Sequence, residues 1–119
     1  MYHRKIVITT EDASGLSSPV CRKFGKSPYF VVAEVAGGEV VHTAVVANDR
    51  FSGHQMGLLH PTCRCGADVL LAGGMEPRVA EMFADMGVEV ISDLNGSARD
   101  ALTRYLSDNR GQLLRAAGL

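Results

Sequence analysis

The chain has 119 residues, a length that suits one hydrophobic core and not two. Its 12 Lys and Arg residues nearly balance its 13 Asp and Glu residues, and the net charge of -1 disfavours nucleic acid, which usually needs a clustered basic face. No apolar run approaches the roughly 20 residues of a membrane span, no secretory signal pattern opens the chain, and three cysteines do not suggest a disulfide framework. These features predict a cytoplasmic protein without a membrane or nucleic-acid partner.

The first half of the sequence predicts an antiparallel meander of three strands. Residues 5–9 and 29–35 are rich in β-branched and aromatic side chains, and Gly37-Gly38 is a hairpin signal before a third strand over 39–46. We expect this third strand at an exposed edge of the sheet, where another chain could pair with it.

The second half predicts alternating helices and strands. A helix ends at Cys65, strands cover residues 69–72 and 89–91, a helix starts at Glu76, and a last helix follows Ser97. The middle helix carries an apolar stripe at helical spacing, and Ser97 with Asp100 gives the last helix a capping signal. We expect one domain over residues 1–108 and a tail over 109–119 that either extends the last helix or is disordered.

The predicted topology gathers several loops at one edge of the sheet. Right-handed crossovers make the first, fourth and fifth strands parallel, so the loops that follow them, and the loop after the third strand, lie together. Ligands of open α/β sheets usually bind at this edge. Candidate functional residues are therefore expected in residues 10–28, 47–57, 73–76 and 92–96.

Metal-type side chains in these loops are Cys21 and His54, whose thiolate and imidazole suit zinc, copper, iron or metal-sulfur clusters. Taken singly, a loop Cys or His more often has no metal role. Residues 54–65 contain more His and Cys side chains, including His60 and Cys65, but their spacing does not match a familiar zinc-binding pattern. Cys63 fits a position in the hydrophobic core.

The glycines that follow the fourth strand, Gly73 and Gly74, leave two interpretations open. They serve either the backbone geometry of a turn or the close approach of a bound anion to free N–H groups.

Catalysis has no support in the sequence. The strand order resembles ribonuclease H topology, but two-metal phosphoryl chemistry needs acids on the strands, and the first strand has none. Glu11 and Asp12 lie beyond it, and no Ser-His-Asp spacing, phosphate-binding loop or nucleophile elbow is present.

Three segments together resemble the dinitrogenase iron-molybdenum cofactor accessory family, of the NifX, NafY and NifB C-terminal-domain type. They are Lys5-Ile6-Val7-Ile8, then Ser18-Pro19-Val20 with the run from Phe24 to Phe30, and the run from Gly66 to Gly74. The resemblance spans about residues 5–106. It implies a ribonuclease-H-like three-layer α/β fold with a five-stranded mixed sheet in β-β-β-α-β-α-β-α order, and no nuclease activity.

The resemblance also implies a function as a carrier or chaperone of a metal-sulfur cluster or its precursor, of iron-molybdenum or molybdenum-copper-sulfide type as in the similar orange proteins. Cluster donor and acceptor proteins would be its partners, and an apo form is also expected. Relatives often carry a histidine- and glycine-rich run after the third strand, where this chain keeps His54 alone.

Our hypothesis places an anionic cluster at the strand edge, with Cys21 and His54 as ligands and His60 and Cys65 as weaker candidates. Backbone N–H groups and soft contact would come from Gly73, Gly74 and Met75, and positive charge from Arg22, Lys23 and Lys26. Two alternatives are an interaction or regulatory module of the same fold without a cluster, and a simple zinc or copper binder that uses His54, His60 and Cys65.

Overall fold

The computed structural model describes residues 3–47 and 66–116, with side chains described as far as residue 108. The strands are β1 (His3–Thr10), β2 (Tyr29–Ala36), β3 (Glu39–Ala47), β4 (Val69–Leu71) and β5 (Glu89–Ile91). The helices are α1 (Pro77–Asp85) and α2 (Ala98–Ala116), and two short 3₁₀ turns cover Gly15–Ser17 and Phe24–Lys26. The helix predicted to end at Cys65 lies outside the described residues.

The five strands form one mixed sheet in the order β3-β2-β1-β4-β5. The β1–β2 and β2–β3 pairs are antiparallel, whereas β1–β4 and β4–β5 are parallel. The sequence prediction of a mixed five-stranded α/β sheet, with the third strand at an edge, is therefore confirmed. β1 is longer than predicted because β2 pairs with all of it, from His3 opposite Ala36 to Thr10 opposite Tyr29.

The hairpin between β2 and β3 turns at Gly37 and Gly38, whose φ angles are 61° and 85°. A two-residue turn with positive φ at both positions matches the twist of the flanking strands and favours glycine. This turn was predicted from the glycine pair and is confirmed.

Side chains alternate between the two faces of the sheet and create two core layers. On one face, Ile6 and Ile8 of β1 pack with residues of α2 such as Leu102. On the other face, Val7 packs with Phe83 of α1. The sheet is therefore the middle of three layers, which is the predicted arrangement.

Local signals fix the ends of the helices. Pro77 occupies the first turn of α1, and Gly87, with φ of 85°, follows the helix and donates its N–H to the Ala84 carbonyl at 3.0 Å. In α2, the Ser97 hydroxyl accepts the Asp100 N–H at 3.1 Å, as the capping signal predicted. The backbone of α2 continues to Ala116. No helix within residues 3–47 and 66–116 is both long and apolar enough to cross a membrane.

Candidate functional site

The segment 22–26, which we call the basic strap, lies along the turn that follows β4. Lys23 forms a parallel bridge with Gly74, the Phe24 N–H donates to the Gly74 carbonyl at 3.0 Å, and the Gly74 N–H donates to the Arg22 carbonyl at 2.6 Å. The turn after β5 joins them, because the Asp93 N–H donates to the Gly73 carbonyl at 2.9 Å. Three of the four loops that the topology was expected to gather therefore meet at this edge.

A cavity of about 870 Å³ opens between the strap and the start of α1. The strap residues line it together with Gly74, Met75, Glu76, Val79 and Asp93. The predicted residues Arg22, Lys23, Lys26, Gly74 and Met75 are thus brought together around one volume.

The cavity combines positive charge with apolar surface. The side chains of Arg22, Lys23 and Lys26 are exposed, and no ion pair joins any of them to another residue in the described part of the chain. Phe24 is buried, and its ring meets that of Phe83 edge to face at a centroid distance of 5.5 Å. Two carboxylates, Glu76 and Asp93, also line the cavity.

Close backbone packing explains the glycine pair. A side chain at Gly73 would overlap the Cys21 carbonyl oxygen, and a Cβ at Gly74 would lie 2.9 Å from the Arg22 oxygen. Both positions therefore have to be glycine for the strap to lie where it does. The Gly74 N–H already has the Arg22 carbonyl as its partner, so in this structure it faces the strap.

Cys21 is buried behind the strap, with 7% of the residue exposed, and it is not among the residues that line the cavity. Its N–H donates to the Thr9 carbonyl at 3.0 Å, and its thiol donates to the Lys23 carbonyl at 3.3 Å. The sequence suggested an open loop here. The structure instead shows Val20 and Cys21 extending the sheet beside the end of β1, through a bridge between Thr10 and Val20.

The sequence-based prediction of the site missed four side chains that line the cavity: Phe24, Glu76, Val79 and Asp93. Phe24 lies in a segment that carries the family resemblance, Glu76 marks the predicted start of a helix, and Val79 belongs to the apolar stripe of that helix. Asp93 adopts a positive φ of 63°, a conformation in which Asp is several-fold enriched among non-glycine residues. Its place before Leu94, Asn95 and Gly96 was a turn signal that could have indicated it.

The remaining metal candidates, His54, His60 and Cys65, lie outside the described residues, as does Cys63. Within residues 3–47 and 66–116, no three His, Cys, Asp or Glu side chains are grouped so that they could hold a metal ion.

Solved structures with this architecture include the protein PH0822, with 27% identity over 87% of this chain and 91% of that chain, at a TM-score of 0.77. The apo form of the orange protein from Desulfovibrio gigas is 28% identical over 90% of this chain and 89% of that one, at a TM-score of 0.70. A Thermotoga protein provisionally described as NifB shares the fold at 23% identity, with a TM-score of 0.68 over 90% of both chains.

Sequence comparison agrees with the structural likeness. No curated protein matches the chain. The family model described as dinitrogenase iron-molybdenum cofactor matches residues 4–108, which include the strap, the glycine pair and both core layers. The chain belongs to the dinitrogenase iron-molybdenum cofactor family.

Proposed function

We propose that this protein is a small carrier that binds a metal-sulfur cluster or its precursor, of iron-molybdenum or molybdenum-copper-sulfide type, and delivers it during cofactor assembly. It acts without catalysis, in a reducing cytoplasm, between donor and acceptor proteins. The observation that carries the proposal is the cavity of about 870 Å³ at the strand edge, bordered by Arg22, Lys23 and Lys26.

The chemistry of the cavity suits an anionic, polarizable cargo. Metal-sulfide clusters carry negative charge, and the strap offers three cationic side chains that have no competing ion pair among the described residues. Phe24 and Val79 supply apolar walls that exclude water, and the thioether of Met75 is a soft contact for sulfide. The positive charge of the cavity together with its soft, apolar contacts favours such a cargo over a hydrated anion such as phosphate.

The covalent ligands in this proposal are Cys21 and His54, with His60 and Cys65 as further candidates. Thiolate and imidazole are ordinary ligands of copper, iron and zinc. Gly73 and Gly74 allow the strap to come close to the turn, and Met75 lines the cavity.

The direct test is to purify the protein without oxygen from its native host and measure metal, acid-labile sulfide and the visible spectrum. We expect molybdenum or iron with sulfide and a charge-transfer band, or uptake of a supplied cluster by colourless protein. Colourless, metal-free protein that takes up no cluster would favour the interaction-module alternative. A single tightly bound divalent ion without sulfide would favour the zinc or copper binder.

A charge-matched pair of variants tests the role of the strap. Lys23→Gln with Lys26→Gln should weaken cluster uptake about tenfold, because two solvent-exposed charge contacts of up to about 1 kcal/mol each together reach the roughly 1.4 kcal/mol of a tenfold change. Arg99→Gln with Arg104→Gln removes the same charge from exposed positions on α2, on the other face of the sheet. Equal loss of uptake in both variants would show a general charge effect and would contradict the site.

A further inference from the structure

The hydroxyl of Thr9 is buried, and no described residue forms a hydrogen bond with it. Thr9 is 0% exposed, and among the described residues its Oγ1 is a buried side-chain oxygen with no hydrogen bond. Its neighbour Thr10, also 0% exposed, donates its hydroxyl to the Asp12 carbonyl at 3.3 Å. An unpartnered buried hydroxyl destabilises the folded state, so it indicates either an unfilled interaction or a local conformation that is not permanent.

Cys21 lies directly across from Thr9. The bridge between Thr10 and Val20 is antiparallel, and the hydrogen bond from the Cys21 N–H to the Thr9 carbonyl continues it by one residue. Residues opposite each other in an antiparallel pair project from the same face of the sheet. That face is the one covered by α1, because Thr9 also pairs with Phe30, which packs with Phe24 and Phe83.

The basic strap lies against the Cys21 member of this pair. The thiol of Cys21 donates to the carbonyl of Lys23, a strap residue, and the strap is fastened to Gly74 by backbone hydrogen bonds. The strap exposes most of its side chains, whereas the Cys21 and Thr9 side chains are buried. The strap is held by backbone hydrogen bonds to Gly74 and by the buried ring of Phe24, and breaking these contacts exposes less surface than unfolding of the whole domain does.

We propose that Thr9 and Cys21 form a covered subsite for a thiophilic metal centre, which is reached when the basic strap lifts from the Gly73–Gly74 turn. When the metal binds, a sulfur–metal bond forms at Cys21 and the thiol proton leaves to solvent, so the hydrogen bond to Lys23 is lost. The Thr9 hydroxyl then acts as a donor to a metal-bound sulfur. The role of Cys21 as a ligand and the identity of the cargo, a metal-sulfur cluster, rest on the proposed function.

The first experiment measures how fast N-ethylmaleimide labels Cys21 in the full reduced chain, by peptide mass spectrometry in increasing urea below the unfolding transition. Local lifting of the strap predicts a labelling free energy that depends weakly on urea. A slope equal to that of global unfolding would overturn the strap model, because Cys21 would then react only in unfolded protein. This measurement needs no variant.

A matched pair of glycine variants tests the fastening. Gly73→Ala puts a Cβ against the Cys21 carbonyl and should speed Cys21 labelling about tenfold or more, as overpacking displaces the strap. Gly25→Ala lies in the strap itself, where an added Cβ meets nothing within 4 Å, and should label like wild type. Equal rates in the two variants would contradict the fastening by the glycine turn.

A matched pair of threonine variants tests the hydroxyl. Thr9→Val removes the hydroxyl and should slow Cys21 labelling about tenfold. The hydroxyl destabilises the closed state, where it is buried without a described partner, but not the open state, where water hydrates it, so its removal favours the closed state. Thr10→Val changes the neighbouring residue on the opposite face and should not slow it. Thr9→Val protein that labels at the wild-type rate would remove Thr9 from the proposal.

Cadmium serves as a probe of metal binding that is independent of any cluster. Cd²⁺ should protect Cys21 of the Gly73→Ala variant from N-ethylmaleimide and produce a sulfur-to-cadmium absorption band. Because Cys63 and Cys65 can also bind Cd²⁺, protection of Cys21 is the deciding readout, and its failure in folded Gly73→Ala protein would overturn the metal subsite. Protection by Cd²⁺ together with failed cluster uptake would instead contradict the carrier function and leave the subsite standing.

Discussion

Two residues decide how closely the first loop approaches the sheet edge. Gly73 has no room for a side chain because the Cys21 carbonyl lies against it, and Gly74 both donates to and accepts from the strap. The glycines therefore act through close backbone packing and bring the strap's cations to the cavity. A side chain at either position would change the geometry of the site even though it need not touch a ligand.

Thr9 and Thr10 allow a stability prediction at the same scale. Thr9→Val should raise the free energy of unfolding by about 1–1.5 kcal/mol, because the buried hydroxyl it removes has no partner among the described residues. Thr10→Val should lower it by about 1 kcal/mol through the lost hydrogen bond to the Asp12 carbonyl. Urea unfolding of the two variants provides the measurement, and a larger loss for Thr9→Val would contradict the assignment.

At the scale of elements, the first turn of α2 is hydrogen-bonded to the loop at the strand edge. The Ala98 N–H donates to the Ser18 carbonyl at 2.8 Å, and the Gly96 carbonyl accepts the Val20 N–H at 2.8 Å. The start of α2 thereby holds the loop that leads into Cys21. The stability of this helix end and the position of the strap are expected to be linked.

The N-cap of α2 gives a prediction about this element. Ser97→Ala removes the hydroxyl that accepts the Asp100 N–H and should lower the free energy of unfolding by about 1 kcal/mol. Ser107→Ala, at an exposed position inside the same helix, is the matched control and should have no effect or a small stabilising one. Equal changes in urea midpoint for the two variants would contradict the capping role.

At the scale of the whole molecule, one polar cluster connects three elements at the sheet end opposite the strap. The Arg4 guanidinium of β1 donates to the Tyr105 hydroxyl of α2 at 2.8 Å, and that hydroxyl donates to Glu89 of β5 at 3.3 Å. Arg4 and Glu89 also form an ion pair at 3.4 Å. Burial raises the pKa of Tyr105 above its ordinary 10.0, and the charge of Glu89 adds to this, while the charge of Arg4 opposes it.

This cluster predicts a loss of stability in alkali. Because the pKa of Tyr105 is raised in the folded state, the unfolded chain loses this proton first as pH rises. The stability that the protonated Tyr105 hydroxyl contributes to the folded state is therefore complete below pH 10.0 and is lost as pH rises from there through the folded-state pKa. Tyr105→Phe should be less stable near neutral pH but should lack this part of the alkaline decline. Urea unfolding of both proteins across this range is the test, and parallel declines would contradict the role of Tyr105.

Local patterns were sufficient to predict the elements. The hairpin glycines, Pro77 at the start of α1 and Ser97 before α2 each act over a few residues, so their effect can be read without knowledge of the fold. Strand β5 was predicted at its observed bounds for the same reason. The loop predicted over residues 10–28 did not anticipate that Cys21 is buried. This burial depends on the pairing of Cys21 with Thr9 of β1, a contact between separate segments of the chain.

The sequence by itself determined the strand and helix order, the family resemblance, and the basic and glycine residues expected at the strand edge. These depend on periodicity, turn chemistry and residue type, which are local properties. Only the tertiary structure decided that the strap lies on the glycine turn, that Cys21 is covered and that Thr9 faces the same side. Those facts arise from the approach of separate segments, Cys21 to Thr9 and Arg22 to Gly74. Such approaches depend on packing complementarity across the whole core, and no short stretch of sequence encodes them.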